Sequence, residues 1–402
     1  MGKWLGIVAE YNPFHSGHLY QMNQAIAANN CQGTIVAMSG NFVQRGEPAI
    51  MDKWIRSRIA VEAGADLIVE IPCWHVLQSA EGFARAAIGL LAACGADVVS
   101  FGSERGNLAE LQSVARWLDE PLSQQAIRRH VKTGISYASA IETALRNDSN
   151  YGNLADLLAG PNNILALEYL RAAAQSATPL EFHTVLRVGP GHRSTVAGKY
   201  ASASTLRRLL ILGENKKALD YIPVPAAELA AGWLSNHGHV TLASLEQAIK
   251  YALLSTSRQQ LRKLPAISEG LENRLLQQTE AQQEVEKLLQ STTTRRYPRT
   301  RLQRILCQLL LGFENFHRRQ PLVPYIRVLA MSRQGKSMLP LLAKSGSAPL
   351  IVGWRDTKKL SPANRDLIRL DQHAGAVHNL GCRAPVVSDW QQMPYVSARQ
   401  DC

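Results

Sequence analysis

The sequence predicts an α/β fold: a doubly wound parallel sheet in the N-terminal part, then a helix-rich region and a small C-terminal portion. The first observation is a series of short, almost continuously apolar segments, which are typical of strands buried on both faces. The second is that amphipathic, helix-like segments separate them. The third is the length of 402 residues, which exceeds one typical core. We therefore expect domains at 1–222, 223–319 and 320–402.

The elements of the first part follow from apolar periodicity. Trp4–Ala9 is a short apolar run, and apolar residues recur at helical spacing between His18 and Ala28. The next strand is predicted over Thr34–Gly40. Asp52 is a candidate N-cap for a helix that runs to Val61 and stops before a glycine.

The same alternation continues further along the chain. The segment ADLIVEIP is strand-like, SAEGFARAAIGLLAACG is helix-like, and ADVVSFG (Ala96–Gly102) is the fourth strand of the series. Residues 123–175 are mainly helical in pattern. LEFHTVLRVG is predicted to return as a strand, and Ser202–Leu212 to form a helix that opens with small hydroxyl residues. Beyond YIPVPAAE the pattern is helical up to about Phe316.

The composition is that of an ordinary soluble globular protein, with 46% hydrophobic and 19% charged residues. The 44 Lys and Arg exceed the 32 Asp and Glu, for a net charge of +12. Such an excess indicates a polyanionic partner such as nucleic acid, or a phosphorylated ligand. A charge that only aids solubility is the alternative.

The six cysteines are scattered without a CxxC-like spacing, so neither a zinc site nor a disulfide framework is indicated. A reducing cytoplasm fits this usage. The apolar run at the N-terminus is too short for a signal-peptide core, and the longest apolar stretch falls short of a membrane span. We therefore expect neither export nor a membrane anchor, and we predict no metal site held by the protein alone.

The first candidate site is HSGH, which falls where the first predicted strand gives way to the first helix. Ligands of open parallel sheets bind at this place. His15 and His18 are three residues apart, so they share one face of the first helical turn, where free backbone N–H groups favour a phosphate. Gly17 would allow a base or ribose to approach closely, and Pro13 would stiffen the turn. An HxGH string alone is weak, because a histidine pair can also simply cap a helix.

The second candidate site is SASTLRR, at the start of the helix that begins near Ser202. Hydroxyl groups of Ser204 and Thr205, helix N-terminal amides and the guanidinium of Arg207 together suit the phosphates of a nucleotide. A plain N-cap with a solvated arginine is the alternative. Together with HxGH, the phosphate-binding interpretation is favoured.

The combination resembles the HIGH-type nucleotidyltransferase superfamily, whose members carry HxGH and a later (I/S)SxxxR-like motif. More closely, the chain resembles the bacterial tRNA(Met) cytidine acetate ligases. The stretches that carry this resemblance are GIVAEYNPFHSGH, MSGNFVQRGEPAIMDKWIRSRIAVEAGADLIVEIP, VVSFGSE, GPNNILALEYL, LRVGPGH and YASASTLRR. They span Gly6 to Arg208, and the resemblance weakens after Ile222.

The resemblance implies a Rossmann-like ATP-binding catalytic domain over 1–222 and a role for specific residues. His15, His18 and Arg207 would be the catalytic residues. Gly102, Asn162 and Arg187 would contact the nucleotide together with Ser204, Thr205 and Arg207. The strand–loop–helix that binds ATP would comprise Ile7, Val8, Ala9, Glu10, Tyr11, Asn12, Pro13, Phe14, His15, Ser16, Gly17, His18, Leu19 and Tyr20.

The basic residues indicate where RNA would bind. Between Glu286 and Glu314 there is no acidic residue, whereas arginines are frequent. Such a segment would make salt-dependent contacts with phosphates. Further basic residues near the first site, Arg45 and Lys53 with Arg56 and Arg58, would steer an anticodon loop. The predicted tRNA-binding residues are Arg45, Lys53, Arg295, Arg296, Arg299 and Arg301. A solvated arginine face is the alternative.

By resemblance, the predicted reaction is acetate activation by ATP and acetyl transfer to N4 of the wobble cytidine of elongator tRNA(Met), without acetyl-coenzyme A. Mg²⁺ would accompany ATP, bridging phosphates and water. AMP is a good leaving group, so the second step does not require a strong base. No stable protein partner is predicted. A small-molecule adenylyltransferase, or a non-catalytic protein that binds a nucleotide and tRNA, remains the alternative.

Overall fold

The computed structural model describes residues 2–187, 200–268, 270–282, 284–316 and 320–398. Its strands fall mainly in the first 190 residues and return near the C-terminus. The strands in chain order are β1 (Lys3–Ala9), β2 (Cys31–Ser39), β3 (Phe42–Val43), β4 (Glu47–Pro48), β5 (Leu67–Ile71), β6 (Val98–Ser103), β7 (Glu181–Leu186), β8 (Ile326–Met331), β9 (Leu350–Ile351) and β10 (Tyr395–Val396).

The main sheet has the strand order β10-β8-β5-β2-β1-β6-β7, with β9 beside β8, while β3 and β4 form a separate hairpin. All pairings among β1, β2, β5, β6 and β7 are parallel. The chain builds outward from β1 through β2 to β5, and then begins again on the other side of β1 with β6. The order therefore reverses between β1 and β6, and the doubly wound parallel sheet predicted from the sequence is confirmed.

The helices cover both faces of this sheet and form most of the chain between residues 200 and 316. The α-helices are α1 (Ser16–Asn29), α2 (Lys53–Glu62), α3 (Cys73–Val76), α4 (Ala80–Ala93), α5 (Leu108–Asp119), α6 (Pro121–Lys132), α7 (Tyr137–Arg146), α8 (Pro161–Ala174), α9 (Ala203–Ile211), α10 (Asn215–Leu219), α11 (Ala226–His237), α12 (Glu246–Ser255), α13 (Arg258–Leu261), α14 (Leu271–Ala281), α15 (Val285–Thr292), α16 (Arg299–Leu310), α17 (Arg333–Ser337), α18 (Leu339–Ser345) and α19 (Pro362–Asn379). Short 3-10 helices lie at Gly152–Ala159, Ala243–Leu245, Phe313–Asn315 and Trp354–Lys359.

The two faces of the sheet bury separate apolar clusters. Ile35 and Ala37 of β2 pack into one cluster, which also receives α4, α5 and α8. Val36 and Met38, the alternating residues, pack into the other cluster with α1, α2, α9 and α11. This alternation explains the continuous apolar runs in the sequence, because successive side chains of a strand point to opposite faces.

Local capping sets the start of several helices. The side chain of Asp52 accepts a hydrogen bond from the N–H of Ile55 at 2.9 Å, so the predicted N-cap of α2 is confirmed. Ser202 caps α9 by accepting from the N–H of Thr205 at 3.2 Å. In both cases a short polar side chain satisfies an N–H that has no partner inside the helix.

The helix-rich region, α12 to α16, shares one apolar cluster with α3, α19 and Phe42 of the β3–β4 hairpin. Gly46, in the turn of this hairpin, lies so close to α16 that an added Cβ would be 2.2 Å from the backbone nitrogen of Arg304. The guanidinium of Arg304 also donates to the carbonyl of Gln44 at 3.4 Å. The basic helix α16 therefore lies directly beside the hairpin that carries Arg45.

Part of the predicted C-terminal portion, 320–402, belongs to the main sheet. β8 runs antiparallel to β5 and extends the main sheet, and β9 and β10 pair with β8 in turn. The side chain of Arg327 in β8 reaches Glu70 of β5 at 2.9 Å within the buried interior. The edge of an open sheet can accept a strand from anywhere in the chain, so apolar periodicity alone did not predict this pairing. Within the described ranges, none of the helices combines the length and apolar character needed to cross a bilayer.

Candidate functional site

A two-lobed cleft opens at the carboxyl ends of β1 and β6, where the strand order of the sheet reverses. The inner lobe has a volume of about 200 Å³ and the outer lobe about 500 Å³. The two lobes share His15, His18, Gln21, Arg45, Gly102, Asn162, Arg187, Ser202 and Ser204. The inner lobe is also lined by Ile7, Val8, Ala9, Glu10, Tyr11, Asn12, Gln44, Phe83, Phe101, Leu165, Tyr169, Ala203 and Arg207. The outer lobe is also lined by Gly17, Tyr20, Glu104, Pro161, Val185, Leu186, Tyr200, Ala201 and Thr205.

His15 and His18 cap α1 reciprocally. The N–H of Gly17 donates to Nδ1 of His15 at 3.1 Å, and the N–H of His15 donates to Nδ1 of His18 at 3.2 Å. The two rings stack with centroids 3.7 Å apart and an interplanar angle of 23°. Because each Nδ1 accepts a hydrogen bond, each neutral ring carries its proton on Nε2. The pair therefore brings two Nε2–H donors to the junction of the lobes.

Both histidines are neutral in this setting. Burial lowers the pKa of His15 to about 3, and the nearby positive charge of Arg187 acts in the same direction. Burial also places the pKa of His18 well below its ordinary value, with His15 and Arg187 as further causes. The imidazoles can thus donate hydrogen bonds without adding charge, while the arginines of the cleft supply the positive charge.

A contact within the protein explains why a glycine stands at position 17, and it differs from the contact predicted from the sequence. A Cβ added there would lie 2.9 Å from Cε1 and 3.0 Å from Nδ1 of His15. Gly17 also lines the outer lobe, so the approach of a base or ribose to this residue stays a prediction. The glycine in HxGH is needed because the first histidine folds back over the second residue of the helix.

The N-terminus of α9 faces the histidine pair across the cleft. The hydroxyls of Ser202 and Thr205 are 2.9 Å apart and hydrogen-bonded, whereas Ser204 is exposed to the cleft. Arg207 donates from Nη1 to the carbonyl of Asn12 at 2.8 Å, and its Nη2 lies 3.8 Å from Glu47. This tether holds a partly exposed guanidinium beside the loop after β1. Two helix N-termini and one arginine therefore converge on the same space, which suits a polyphosphate.

Gly102, Asn162 and Arg187 are brought together where the two lobes of the cleft meet. Nη1 of Arg187 donates to Oδ1 of Asn162 at 3.4 Å, and Nδ2 of Asn162 donates to Glu104 at 2.5 Å. A Cβ on Gly102 would lie 3.2 Å from Cγ of Arg187. Burial lowers the pKa of Arg187, although Glu104 opposes that shift. In the motif LRVGPGH, the residues from Val188 onward lie outside the described residues.

Some members of the predicted strand–loop–helix do not line either lobe. Phe14 is buried, and its ring packs 4.8 Å from that of Tyr11 and 5.6 Å from that of His18. Ser16 donates from its hydroxyl to the carbonyl of Tyr221 at 2.9 Å. Pro13 and Leu19 are likewise absent from the lining. These residues support the histidine pair from behind.

The predicted RNA contact at Lys53 is corrected by the structure. Its side chain has no exposed surface and forms ion pairs with Glu70 at 2.8 Å and Asp389 at 2.6 Å. Arg56 is also fully buried, and its guanidinium donates to backbone carbonyls that include those of Ser39 and Gly40. Neither cation can reach an RNA phosphate, because Lys53 pairs with buried carboxylates and Arg56 is held by buried backbone carbonyls.

The other predicted RNA contacts lie on the surface, though several already have partners within the chain. Arg45 is exposed at the rim of the cleft, and Arg295 is exposed before α16. Arg299 forms an ion pair with Glu286 at 2.6 Å, and Arg301 donates to the carbonyl of Ala266 at 3.0 Å. Arg296 is half-buried and also has a partner. Arg45 thus lines the cleft together with the histidine pair, whereas the four arginines from Arg295 to Arg301 line neither lobe.

Several lining residues were not identified from the sequence. Gln21 lies three residues after His18 on the same helix, so helical spacing could have found it. Phe83, Phe101 and Tyr169 come from three different elements, and only tertiary packing brings them together. Glu104 follows β6 and accepts hydrogen bonds from the residues at the start of α8. Among the residues that the structure describes, no three His, Cys, Asp or Glu side chains form a group that could hold a metal ion.

Comparison with known proteins agrees with this geometry. The family model HIGH Nucleotidyl Transferase matches residues 2–392. The tRNA(Met) cytidine acetate ligase of Thermoanaerobacter pseudethanolicus is 37% identical over 383 residues, which cover 94% of this chain and 94% of that protein. The tRNA(Met) cytidine acetate ligase of Bacillus subtilis is 30% identical over 406 residues, covering 98% of this chain and 96% of that protein.

The fold also matches a solved structure along almost its whole length. Thermotoga maritima TmcAL, in a crystal structure bound with alpha-thio ATP, superposes with a TM-score of 0.89 at 27% sequence identity. The match covers 98% of this chain and 100% of that one. An apo crystal structure of the same Thermotoga protein matches with a TM-score of 0.88.

Proposed function

Because this chain belongs to the tRNA(Met) cytidine acetate ligase family of HIGH nucleotidyl transferases, we propose that it activates acetate with ATP and transfers the acetyl group to a tRNA cytidine. The acceptor we propose is N4 of the wobble cytidine of elongator tRNA(Met), with no need for acetyl-coenzyme A. The observation that carries the proposal is the reciprocal histidine cap of α1, which faces the N-terminus of α9 across one cleft.

In the first step, an acetate oxygen attacks the α-phosphate of ATP, and pyrophosphate leaves. His15 and His18 donate from Nε2 to phosphate oxygens, and Arg207 neutralises charge on the departing pyrophosphate. The carbonyl of Asn12 holds that guanidinium in place before ATP arrives. These groups do not enter covalent chemistry, so the catalysis is positioning and electrostatic stabilisation.

The ATP is best accommodated with its adenosine in the outer lobe and its phosphates at the junction. Gly102, Asn162 and Arg187 line both lobes beside the histidines, as do Ser202 and Ser204. We propose that Mg²⁺ binds with the phosphates of ATP and completes its shell with water, as it does in many nucleotide sites.

For the tRNA, we propose an approach across the surface formed by the β3–β4 hairpin and α16. Arg45 at the rim, with Arg295, Arg296, Arg299 and Arg301 beyond it, would contact the phosphates of the RNA. Such contacts position an RNA without reading its sequence. With tRNA as the substrate, we propose that the protein acts in the bacterial cytoplasm.

The test is to incubate the purified protein with ATP, labelled acetate and total tRNA, without acetyl-coenzyme A, and to digest the tRNA to nucleosides for mass spectrometry. We expect labelled N4-acetylcytidine. Pyrophosphate release without label in tRNA would show an adenylating enzyme with another acid or acceptor. If the protein neither labels tRNA nor releases pyrophosphate, that result would contradict an enzymatic role and favour nucleotide binding alone.

A further inference from the structure

We propose that Glu47 is a positioning residue for Arg207, and that Gln303 of α16 holds Glu47 in place for this role. The role rests on the function proposed above, in which Arg207 neutralises charge on the departing pyrophosphate. Glu47 belongs to the β3–β4 hairpin and lines neither lobe of the cleft. It would therefore act on the ATP step through Arg207 and not by touching ATP.

The carboxylate of Glu47 divides its two oxygens between two helices. Oε1 accepts a hydrogen bond from Nε2 of Gln303 in α16 at 3.1 Å. Oε2 forms an ion pair with Nη2 of Arg207 in α9 at 3.8 Å. Both partners of the ion pair are partly buried, so water screens their attraction less than it screens a fully exposed pair. A single side chain thus connects the helix-rich region with the arginine of the cleft.

The ion pair gives the guanidinium of Arg207 a second fixed point. The first is the carbonyl of Asn12, which accepts from Nη1 at 2.8 Å. A guanidinium is planar and carries five N–H donors, so a single contact leaves its plane able to turn about that contact. A second contact at Nη2 fixes the plane. The remaining N–H groups can then serve a phosphate in the lobe that Arg207 lines.

The hairpin that carries Glu47 is itself held on two sides. Gly46, with a φ of +81°, packs so closely on α16 that an added Cβ would lie 2.2 Å from a backbone nitrogen of that helix. The thiol of Cys307 donates to the carbonyl of Gly46 at 3.2 Å. On the other side, the N–H of Gln44 donates to the carboxylate of Glu10 at 3.0 Å. The side chain of Glu47 therefore starts from a fixed backbone.

A fixed guanidinium matters most when pyrophosphate departs. Negative charge then accumulates on the leaving oxygens, and a donor that is already oriented stabilises it without reorganisation. We therefore expect the contribution of Glu47 to appear in kcat more than in the KM for ATP. Simple charge repulsion predicts a different pattern. A carboxylate that only repelled the phosphates would weaken ATP binding, so its removal would lower KM at an unchanged kcat.

The first test is Glu47→Gln, which keeps an oxygen that can accept from Gln303 and removes the charge that faces Arg207. Acetate-dependent ATP–pyrophosphate exchange gives kcat and the KM for ATP. We expect kcat to fall by about 10-fold to 10²-fold, with KM close to wild type. The matched control is Glu110→Gln. Glu110 is also partly exposed, pairs with Arg105 at 2.7 Å and lines neither lobe, so both constants should stay at the wild-type values.

A second test separates positioning from packing, and it does not depend on Glu47→Gln being folded. Gln303 and Gln308 are both buried glutamines of α16, but Gln308 donates to the carbonyl of Leu77 at 2.7 Å and not to the hairpin. We expect Gln303→Ala to lower kcat and Gln308→Ala to lower only the free energy of unfolding. Equal values of kcat for the two folded variants would overturn the role of Gln303.

A third test asks whether Glu47 acts through Arg207. Arg207→Lys keeps a cation but removes the planar group that Glu47 would orient. In that background, we expect Glu47→Gln to change kcat little, because the two residues belong to one interaction. Independent effects that multiply would contradict a role through Arg207.

The outcomes distinguish this role from the function on which it rests. Absence of acetate-dependent exchange from the wild-type protein would overturn the proposed function, and this role with it. Wild-type exchange that persists unchanged in Glu47→Gln, or a lower KM at an unchanged kcat, would overturn the positioning role alone.

Discussion

Replacing Gly17 by alanine tests the geometry of the histidine pair without removing either histidine. The added Cβ would lie 2.9 and 3.0 Å from two ring atoms of His15, which is closer than van der Waals contact. Carbon atoms pack at about 3.5–4.0 Å, so the ring must move by roughly 0.5–1 Å. That movement would break the 3.1 Å hydrogen bond from the N–H of Gly17 and unstack His15 from His18.

The expected effect on stability is small, whereas the expected effect on rate is large. Loss of an N-cap bond costs about 1 kcal/mol, and replacing glycine by alanine in a helix returns up to about 1 kcal/mol. The two contributions nearly cancel. A displacement of about 1 Å in a catalytic group, by contrast, can lower the rate about 10²-fold.

The assay is acetate-dependent ATP–pyrophosphate exchange, with denaturant unfolding followed on the same samples. The matched control is Gly232→Ala in α11, where an added Cβ meets no atom within 4 Å. This control should gain stability and keep wild-type exchange. If Gly17→Ala folds and exchanges at the wild-type rate, then the position of the His15 ring does not matter for the reaction and the reasoning is refuted.

Three more predictions follow from the described contacts. His18→Ala should stay folded and lose adenylate formation, because a phosphate donor disappears from the junction; pyrophosphate exchange measures this. Replacing Arg295, Arg296 and Arg299 together by alanine should weaken tRNA binding and flatten its salt dependence, since phosphate contacts are lost. Pyrophosphate exchange should be unaffected. Filter binding at several salt concentrations measures the change in tRNA affinity. Lys53→Met should lower the free energy of unfolding by about 3–5 kcal/mol, because Arg327 alone would then have to compensate the two buried carboxylates that Lys53 also pairs with; urea unfolding measures this.

Each of these changes has a control in the chain. His130→Ala on α6 should leave exchange unchanged. Arg58→Met removes an exposed cation from the same helix as Lys53 and should have little effect on stability. The control for the arginine triple removes three exposed charges from α6, namely Arg128, Arg129 and Lys132. Normal exchange by a folded His18→Ala protein, equal tRNA binding by both triples, or equal stability of the Lys53 and Arg58 variants would each contradict the corresponding role.

The parallel sheet and the starts of its helices could be predicted because their signals are local. Apolar runs mark β1, β2, β5 and β6, and a short polar side chain such as Asp52 satisfies its own helix terminus. HxGH could be placed at a strand–helix junction for the same reason. The pairing of β8 with β5 could not be predicted, because about 250 residues separate the two strands and edge pairing leaves no periodic signal.

The charged residues show most clearly which features only the tertiary structure decides. Lys53 looked like a surface cation, but Glu70 and Asp389, one of them more than 300 residues away, bury and neutralise it. Burial of a charge depends on which partners the fold brings within hydrogen-bonding distance, and this is not encoded in neighbouring residues. The same holds for Phe83, Phe101 and Tyr169, which form one wall only after three elements pack together.

The sequence by itself determined the order of strands and helices, the family resemblance and the two motifs of the nucleotide site, since each depends on residues close in the chain. Tertiary structure alone decided the reciprocal histidine cap as a source of two neutral donors, the second lobe with Glu10, and the burial of Lys53. Those features depend on distances between side chains from separate elements, which are set only when the sheet and its helices pack.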